Sequence, residues 1–360
     1  MKLLRLATTL NPTSAPYNQF SLGLKSSLQQ TYCSLMKHDI SVEDGIKGFN
    51  GNGSILNMIK LVRGLIQKNH YDVVHIHSGV TGIIFFIAAF PFKLSMFKKA
   101  VFTLHNSWNI IKPRNQILNF VVMIFVAKIC TCGKSSKESL PKIINFFIAK
   151  KTISVVNGFD HKRIDNIEDK KNGIKHYSDN SSIKILCVGA LNNTKNQIAL
   201  LDALKEIKVQ CELIFLGDGK NKESLINFSK DINKNIDITF KGRISRNLAI
   251  EHMIEADVSI SLSKGEGLPI AVLESMYSGC FLILSDIPPH KEISPPSNRC
   301  IFVKKLKKSE VVSSINFVAD NIQSIRSERS VSRDHSIVNF GLEKMLGEYM
   351  EVYKFLNKRN

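Results

Sequence analysis

Cysteine is sparse and unpatterned in this sequence of 360 residues, with seven thiols at positions 33, 130, 132, 187, 211, 280 and 300. An odd number at irregular spacing in a long chain excludes a disulfide framework and points to reduced, buried thiols in a cytoplasmic protein. Cys130 and Cys132 have no second cysteine pair at zinc-ligand spacing, so no metal site is expected. Ten prolines and 20 glycines exclude collagen-like and low-complexity chains. Long hydrophobic runs are also missing. No stretch reaches the roughly 18–20 apolar residues that span a bilayer. The longest candidates, 82–92 and 117–126, read as buried or interfacial helices. The first eighteen residues contain too short an apolar stretch for a secretory signal. Acid is scarce in one half only: residues 1–160 hold 19 Lys and Arg against 6 Asp and Glu, and residues 161–360 hold 30 against 25. Together these give the net charge of +18.

What is present is a folded composition, 44% apolar and 22% charged, at a length that suits about two domains. Short apolar segments at 3–9, 72–77, 101–105, 128–132 and 152–156 read as buried strands, and 20–30, 55–69 and 135–147 have helical spacing. Residues 161–182 are polar and without apolar period, as in a linker. The pattern then restarts, with strands at 183–188, 211–216, 236–240, 258–262 and 281–285. Helices are expected at 196–207, 249–256, 269–278 and about 336–356. Apolar strands alternating with helices give parallel sheets covered on both faces. The fold class is therefore α/β, with two Rossmann-like domains facing a cleft. The expected boundaries are 1–160, a linker at 161–182, 183–335, and a C-terminal helix at 336–360 that crosses back to the first domain. Ligands in such sheets bind beyond the carboxyl ends of the strands.

The segment from Ser263 to Gly279 has the strongest chemical pattern. A strand runs into a glycine-bearing loop, Pro269 suits the start of a helix, and Gly279 suits its end. Glu266 lies in the loop and Glu274 inside the helix. A helix N-terminus beside glycine can hold an anion, and two carboxylates can accept hydrogen bonds from sugar hydroxyls. His105 reads either as a packed strand-end histidine or as a site residue. His75 and His77 read as packing or acceptor-contact residues rather than zinc ligands. Asp218, between two glycines, reads as turn chemistry.

Taken in order, Val188-Gly189, Lys195-Asn196, Leu216-Gly217-Asp218-Gly219, Gly242-Arg243, Glu266-Gly267-Leu268-Pro269, Glu274 and Ser285-Asp286 resemble the retaining GT-B glycosyltransferases of the glycosyltransferase 4 (group 1) family. The strand ends at 72–77, 103–105 and 156–160 are similar to those of the same family. The resemblance implies transfer of a sugar, with retention, from a UDP- or GDP-sugar donor to a growing glycan, one carried on a lipid and destined for a cell-surface polysaccharide or lipopolysaccharide. It implies that Glu266 holds donor-sugar hydroxyls, with Gly267 and Leu268 presenting N–H groups, and that Glu274 holds the ribose. Lys195, beside Gly189, Asn196 and Gly217, would face the diphosphate. Backbone near Arg243 and Ile244 would meet the base, and His105 would sit near the anomeric carbon. No metal or other cofactor is implied. The sequence departs from the family at Ala190, where an arginine is common, and in the loop 11–18, which has Pro12 and Pro16 in place of glycines. Those departures leave a catalytically impaired scaffold of the same fold as an alternative, with a UDP-sugar epimerase as a third reading.

The basic first half implies an anionic partner. No nucleic-acid signature accompanies the charge. The stretch 83–99, in which Lys93, Lys98 and Lys99 follow an apolar run broken by Pro91, has the mix found at a bilayer interface. An anionic membrane surface and a peripheral location at the inner face of the plasma membrane follow as expectations.

Overall fold

The computed structural model describes residues 1–10, 28–37, 46–170 and 182–358. The loop expected at 11–18, and most of the helix expected at 20–30, lie outside the described residues. Two compact units emerge. One comprises Met1–Gly158 with Leu342–Asn360, the other Phe159–Gly341.

The first unit is a seven-stranded parallel sheet of β1 (Lys2–Ala7), β2 (Gln29–Ser34), β3 (Ile46–Asn50), β4 (Val73–Ile76), β5 (Ala100–Leu104), β6 (Lys128–Thr131) and β7 (Thr152–Ser154), ordered β3-β2-β1-β4-β5-β6-β7. Side chains alternate across it. One face of the central strands presents Leu4, Leu6, Val74 and Ile76 to Met58, Val62, Phe85 and Val122 of the covering helices. The other presents Leu3, Val73 and Val101 to Tyr349, Tyr353 and Leu356 of the last helix, Leu342–Asn357. The first unit therefore owes one of its two cores to the far end of the chain.

The second unit is a six-stranded parallel sheet of β8 (Ile183–Val188), β9 (Cys211–Leu216), β10 (Ile236–Gly242), β11 (Val258–Ser261), β12 (Phe281–Ser285) and β13 (Cys300–Val303), ordered β10-β9-β8-β11-β12-β13. Both sheets reverse direction beside their first strand, between β1 and β4 and between β8 and β11. That switch point is where an open α/β sheet leaves a crevice at the strands' carboxyl ends.

Several expected elements differ. Gln29 and Gln30 open strand β2 instead of closing a helix, because Gln30 is buried and accepts from Arg5 Nε at 2.9 Å. The expected helix at 135–147 breaks into Lys134–Glu138 and Lys142–Ile148 at Pro141, which cannot continue a helical hydrogen-bond ladder. Residues 161–170, expected as linker, form the helix His161–Lys170. Asp160 caps its start by accepting from Arg163 N at 3.2 Å, and Ile164 is its buried anchor. Residues 171–181 of that linker lie outside the described residues. The helix expected at 336–356 is two helices, Arg333–Phe340 and Leu342–Asn357, with Gly341 between them in extended backbone. All seven thiols are free, and six are buried.

Candidate functional site

In the second unit, Gly189 and Gly217 directly follow β8 and β9, and Gly242 closes β10. Gly189 and Gly217 take φ of +147° and +141°, a region that disfavours any side chain. A Cβ on Gly217 would meet Gly189 O at 2.0 Å, so the two strand ends touch only because residue 217 lacks a side chain. Gly189 N donates to Leu216 O at 2.9 Å and Gly217 N to Gly242 O at 2.8 Å, lacing the three strand ends together.

The loop after Gly189 delivers Lys195. Asn192 Oδ1 accepts from Thr194 N and Lys195 N, both at 3.0 Å, in a tight turn. Lys264 N donates to Thr194 O at 2.8 Å, and Asn196 Nδ2 donates to Leu262 O at 3.3 Å. These bonds tie the loop after β8 to the loop after β11 across the switch point. Lys195 Nζ then donates to Glu266 Oε1 at 2.5 Å, and Ser263 Oγ donates to the same oxygen at 2.6 Å. Glu266 is 8% exposed, and its charge is held by one cation and one hydroxyl. Gly267 and Leu268 are buried directly before helix Ile270–Tyr277, which Pro269 begins and Gly279 (φ +84°) ends. Asp218 Oδ1 accepts from Gly219 N at 2.8 Å, a turn bond.

Glu274 lies inside that helix and is buried. Its Oε1 is held by Arg246, while Oε2 is buried with no hydrogen-bond partner among the described residues. Burial raises the Glu274 carboxyl above its ordinary range, and Arg246 opposes that shift. Arg243 is exposed and Ile244 half-buried at the end of β10.

Sequence reasoning missed two participants. Arg246 is one: a cation at the first position of helix Arg246–Glu255 runs against the helix dipole, and that was the signal available. His290 is the other. Fully buried, it lies beneath the Glu266 loop, 3.1 Å from Ser285 Oγ, which in turn donates to Ser263 O at 2.6 Å. Burial pushes His290 down to about 4, so it holds its place as a neutral ring.

In the first unit, His105 follows β5 and its Nε2 lies 3.0 Å from His77 Nδ1. The His77 ring stacks on His75 at 4.0 Å between centroids. His75 Nδ1 meets Arg5 Nη1 at 3.0 Å and Tyr353 Oη at 2.7 Å. Arginine only donates, so Nδ1 accepts and the His75 proton sits on Nε2, where it donates to Thr103 Oγ1 at 2.7 Å. Tyr349 Oη is 3.2 Å from the same Thr103 oxygen. Burial keeps all three histidines neutral: His75 and His77 well below the usual range, His105 at about 4. The column ends at a cavity of about 270 Å³ lined by Thr8, His77, Ser78, His105, Arg114 and Asn119, among others. Among the described residues no group of acids, histidines and cysteines is placed to hold a metal ion.

The predicted site residues thus fall into two sets. Gly189, Lys195, Asn196, Gly217, Glu266, Gly267 and Leu268 converge on the crevice of the second unit, with Glu274 joined to Arg246. His105 belongs to the first unit's cavity.

Residues 168–325 match the model of the family described as glycosyl transferases group 1. The capsular polysaccharide biosynthesis glycosyltransferase CapH of Staphylococcus aureus is 30% identical over 244 residues, 64% of this chain and 64% of that protein. The Escherichia coli UDP-Gal:alpha-D-GlcNAc-diphosphoundecaprenol alpha-1,3-galactosyltransferase is 29% identical over 253 residues, 65% of this chain and 62% of that protein. The chain therefore matches somewhat less than two thirds of the length of these relatives. Among solved structures, Anabaena HepE with UDP and glucose aligns with a TM-score of 0.78 at 17% identity, over 99% of this chain and 100% of that one. Sucrose-phosphate synthase from Thermosynechococcus elongatus aligns with a TM-score of 0.79 at 12% identity, over 100% of both chains. Along its length the chain shares with these structures the GT-B fold of two parallel-sheet α/β units, and its second unit is similar, over residues 168–325, to the glycosyl transferases group 1 family.

Proposed function

We propose that this protein transfers a sugar from a nucleotide-diphosphate donor to a glycan acceptor carried on a lipid, with retention of anomeric configuration. The observation that carries the reading is the Lys195–Glu266 pair, set at the switch point of the second sheet between loops cleared by glycine. The names of two relatives support the acceptor class, since one is a galactosyltransferase for a diphosphoundecaprenol-linked sugar and the other a glycosyltransferase of capsular polysaccharide biosynthesis. HepE, with UDP and glucose bound, supports the donor class.

In this reading Glu266 accepts hydrogen bonds from donor-sugar hydroxyls, while Gly267 and Leu268 offer backbone N–H groups. Lys195 turns to the diphosphate. The acceptor hydroxyl oxygen bonds to the anomeric carbon as the bond from that carbon to the phosphate oxygen breaks. The nucleoside diphosphate leaves with the electron pair and takes up the acceptor proton. Its charge grows during the step, so Lys195 stabilises the transition state more than the ground state. Glu274, with Oε2 unpartnered, accepts from the ribose and is held in place by Arg246. Backbone near Arg243 and Ile244 meets the base. His105, a neutral ring at its own cavity, serves the reacting end of the donor and acceptor. We assign no metal or other cofactor to the reaction. Seven free thiols and the use of a nucleotide-sugar donor support a cytoplasmic location.

The test is a panel of UDP- and GDP-sugars read by thermal shift and then by transfer to a lipid-diphosphate acceptor, with the product anomer assigned by NMR. Stabilisation by one donor and a product of the donor's own anomeric form are expected. Because Ala190 stands exposed where the family carries arginine, binding without turnover would favour a scaffold. Interconversion of UDP-sugars without acceptor would favour an epimerase, and an inverted product would remove retention.

A further inference from the structure

Only one oxygen of the Glu266 carboxylate is engaged in the second unit. Oε1 takes both Lys195 Nζ and Ser263 Oγ, whereas Oε2 makes no hydrogen bond among the described residues and the side chain retains some exposure. The two holders differ in kind. Lys195 is a flexible, partly exposed cation for which a diphosphate would compete. Ser263 is fully buried and is gripped at both ends. Its carbonyl accepts from Ser285 Oγ at 2.6 Å, and its hydroxyl lies 3.3 Å from Ser261 Oγ. Once Lys195 turns to a diphosphate, Ser263 is the holder that stays.

Both serines that grip Ser263 converge on His290. Pro288 and Pro289 open the helix Pro288–Ile293 shortly after β12 and fix its first turn, from which the His290 ring reaches back to Ser285. Its Nδ1 lies 2.9 Å from Ser285 O and 3.1 Å from Ser285 Oγ, and its Nε2 lies 3.5 Å from Ser261 Oγ. A carbonyl only accepts, so Nδ1 carries the proton and Nε2 a lone pair. Ser285 Oγ therefore accepts from the ring and keeps its own proton for Ser263 O. Ser261 has one proton, shared between Nε2 and Ser263 Oγ. The ring thus donates on one side and accepts on the other, which biases how each serine hydroxyl turns. A fully buried imidazole is costly unless its nitrogens are bonded, and here both face the serines that hold Ser263.

We propose that His290 is a positioning residue for donor recognition. Through Ser285 and Ser261 it fixes Ser263, and Ser263 keeps the Glu266 carboxylate in place after Lys195 has left it for the diphosphate, with Oε2 offered to the sugar. The inference rests on the proposed reading of Glu266 as the acceptor of donor-sugar hydrogen bonds, and it assigns His290 to the sugar part of the donor alone. In that reading the nucleotide is held by Lys195, Glu274 and the end of β10, none of which bonds to His290.

The experiment is calorimetric titration of the full chain and its variants with a nucleotide sugar and with the matching free nucleoside diphosphate. The nucleotide sugar is whichever of UDP-glucose, UDP-galactose, UDP-N-acetylglucosamine and GDP-mannose gives the largest thermal shift. His290→Leu and Ser285→Ala should each raise the Kd of the nucleotide sugar about tenfold, as for loss of a hydrogen bond that serves a charged group, and leave that of UDP or GDP unchanged. His290→Asn, whose amide can still donate to Ser285 O, should keep most of the affinity. A packing role predicts the reverse order, since leucine fills an apolar interior better than asparagine. Affinity kept in His290→Leu and lost in His290→Asn therefore overturns the proposal. Equal loss of both ligands overturns it too, because that is damage to the whole unit. Should His290→Leu fail to fold, Ser285→Ala decides alone, and unchanged affinity for the nucleotide sugar refutes the role. Glu266→Gln separates this inference from the reading beneath it, and should weaken the nucleotide sugar while sparing the free nucleotide. Where it changes neither, or where no nucleotide sugar binds, the donor reading of Glu266 falls and the inference with it. Where it weakens the nucleotide sugar but His290→Leu and Ser285→Ala do not, only the inference falls.

Discussion

The two units share a strand order yet hold opposite chemistry at the same address. In the second, the carboxyl edge carries formal charges in pairs, Lys195 with Glu266 and Arg246 with Glu274. In the first, the equivalent edge carries neutral rings, with His105, His77 and His75 in a chain that runs back to Arg5, Tyr349 and Tyr353. The topology explains where each site lies, since in both sheets the crevice opens beside the first strand. It does not explain what the site does. That follows from the side chains at each strand-end crevice: charges paired with one another in the second unit, rings kept neutral by burial in the first.

Removing the shared scaffold of the first unit should have the largest effect. Deleting 342–360 strips Tyr349, Tyr353 and Leu356 from a sheet face where each is fully buried. At about 1.5–3 kcal/mol for each large apolar side chain, the loss of these three alone reaches the stability of a typical domain. Hydrogen exchange should show β1, β4 and β5 losing protection while β8, β9 and β11 keep theirs. Equal loss in both units would mean that they do not fold separately.

Next comes the charge pair. Lys195→Ala should lower turnover about a hundredfold to a thousandfold, as for loss of one transition-state donor, in protein that remains folded at the assay temperature. A turnover within about threefold of wild type, far short of the loss of one transition-state donor, would remove Lys195 from the reaction.

Acid should then separate the units. Burial pushes the His105 ring down to about 4 from its ordinary 6.5, and lowers His75 and His77 as well. Below 6.5 the unfolded chain takes up protons that the folded one refuses, so stability is full above that pH and falls between about 6.5 and 4. For His105 alone the loss approaches about 3 kcal/mol. The second unit has His290 shifted the same way, so its decline should be shallower. Melts followed by unit-specific hydrogen exchange from pH 7 to pH 4.5 would show it. A second unit that loses protection first would show that the histidine column is not what limits the first.

The smallest effect concerns Glu274. Arg246→Ala should weaken nucleotide binding by about 1.5–3 kcal/mol, the range for a hydrogen bond to a charged group, because the buried carboxylate then loses its holder. Calorimetric titration with UDP and GDP reads this directly. Unchanged affinity for both would detach Glu274 from the ribose.

Much of the fold was legible along the chain because the central strands of a parallel sheet are buried on both faces and so are written as apolar runs. Segments such as Ile183–Val188 and Phe281–Ser285 need no partner to be recognised. Edge and polar strands were not legible. β2 reads Gln-Gln-Thr-Tyr-Cys-Ser, and its polarity is tolerable in a core only because Arg5, from another strand, meets Gln30. The short β13 hides behind Pro295 and Pro296. Glu266, Lys195 and Glu274 could be picked out through spacing and glycine context, whereas Arg246 and His290 could not, since nothing local shows which residue a side chain will reach. The exposed phenylalanines of Lys142–Ile148 were hidden for the same reason, as an apolar residue in a helix is assumed to face a core.

The sequence by itself determined the alternation of strands and helices, the two parallel sheets, the glycine-cleared loops and the imbalance of charge between the halves. These depend on local propensity and on period, which short segments carry alone. Only the tertiary structure decided the pairings: the last helix under the first sheet, the histidine column that ends in Tyr353, Arg246 on Glu274, and the helices that leave Phe146 in solvent. The pairings join residues far apart in the chain, and the burial that keeps the histidine column neutral and raises the Glu274 carboxyl exists only once the chain has closed around them.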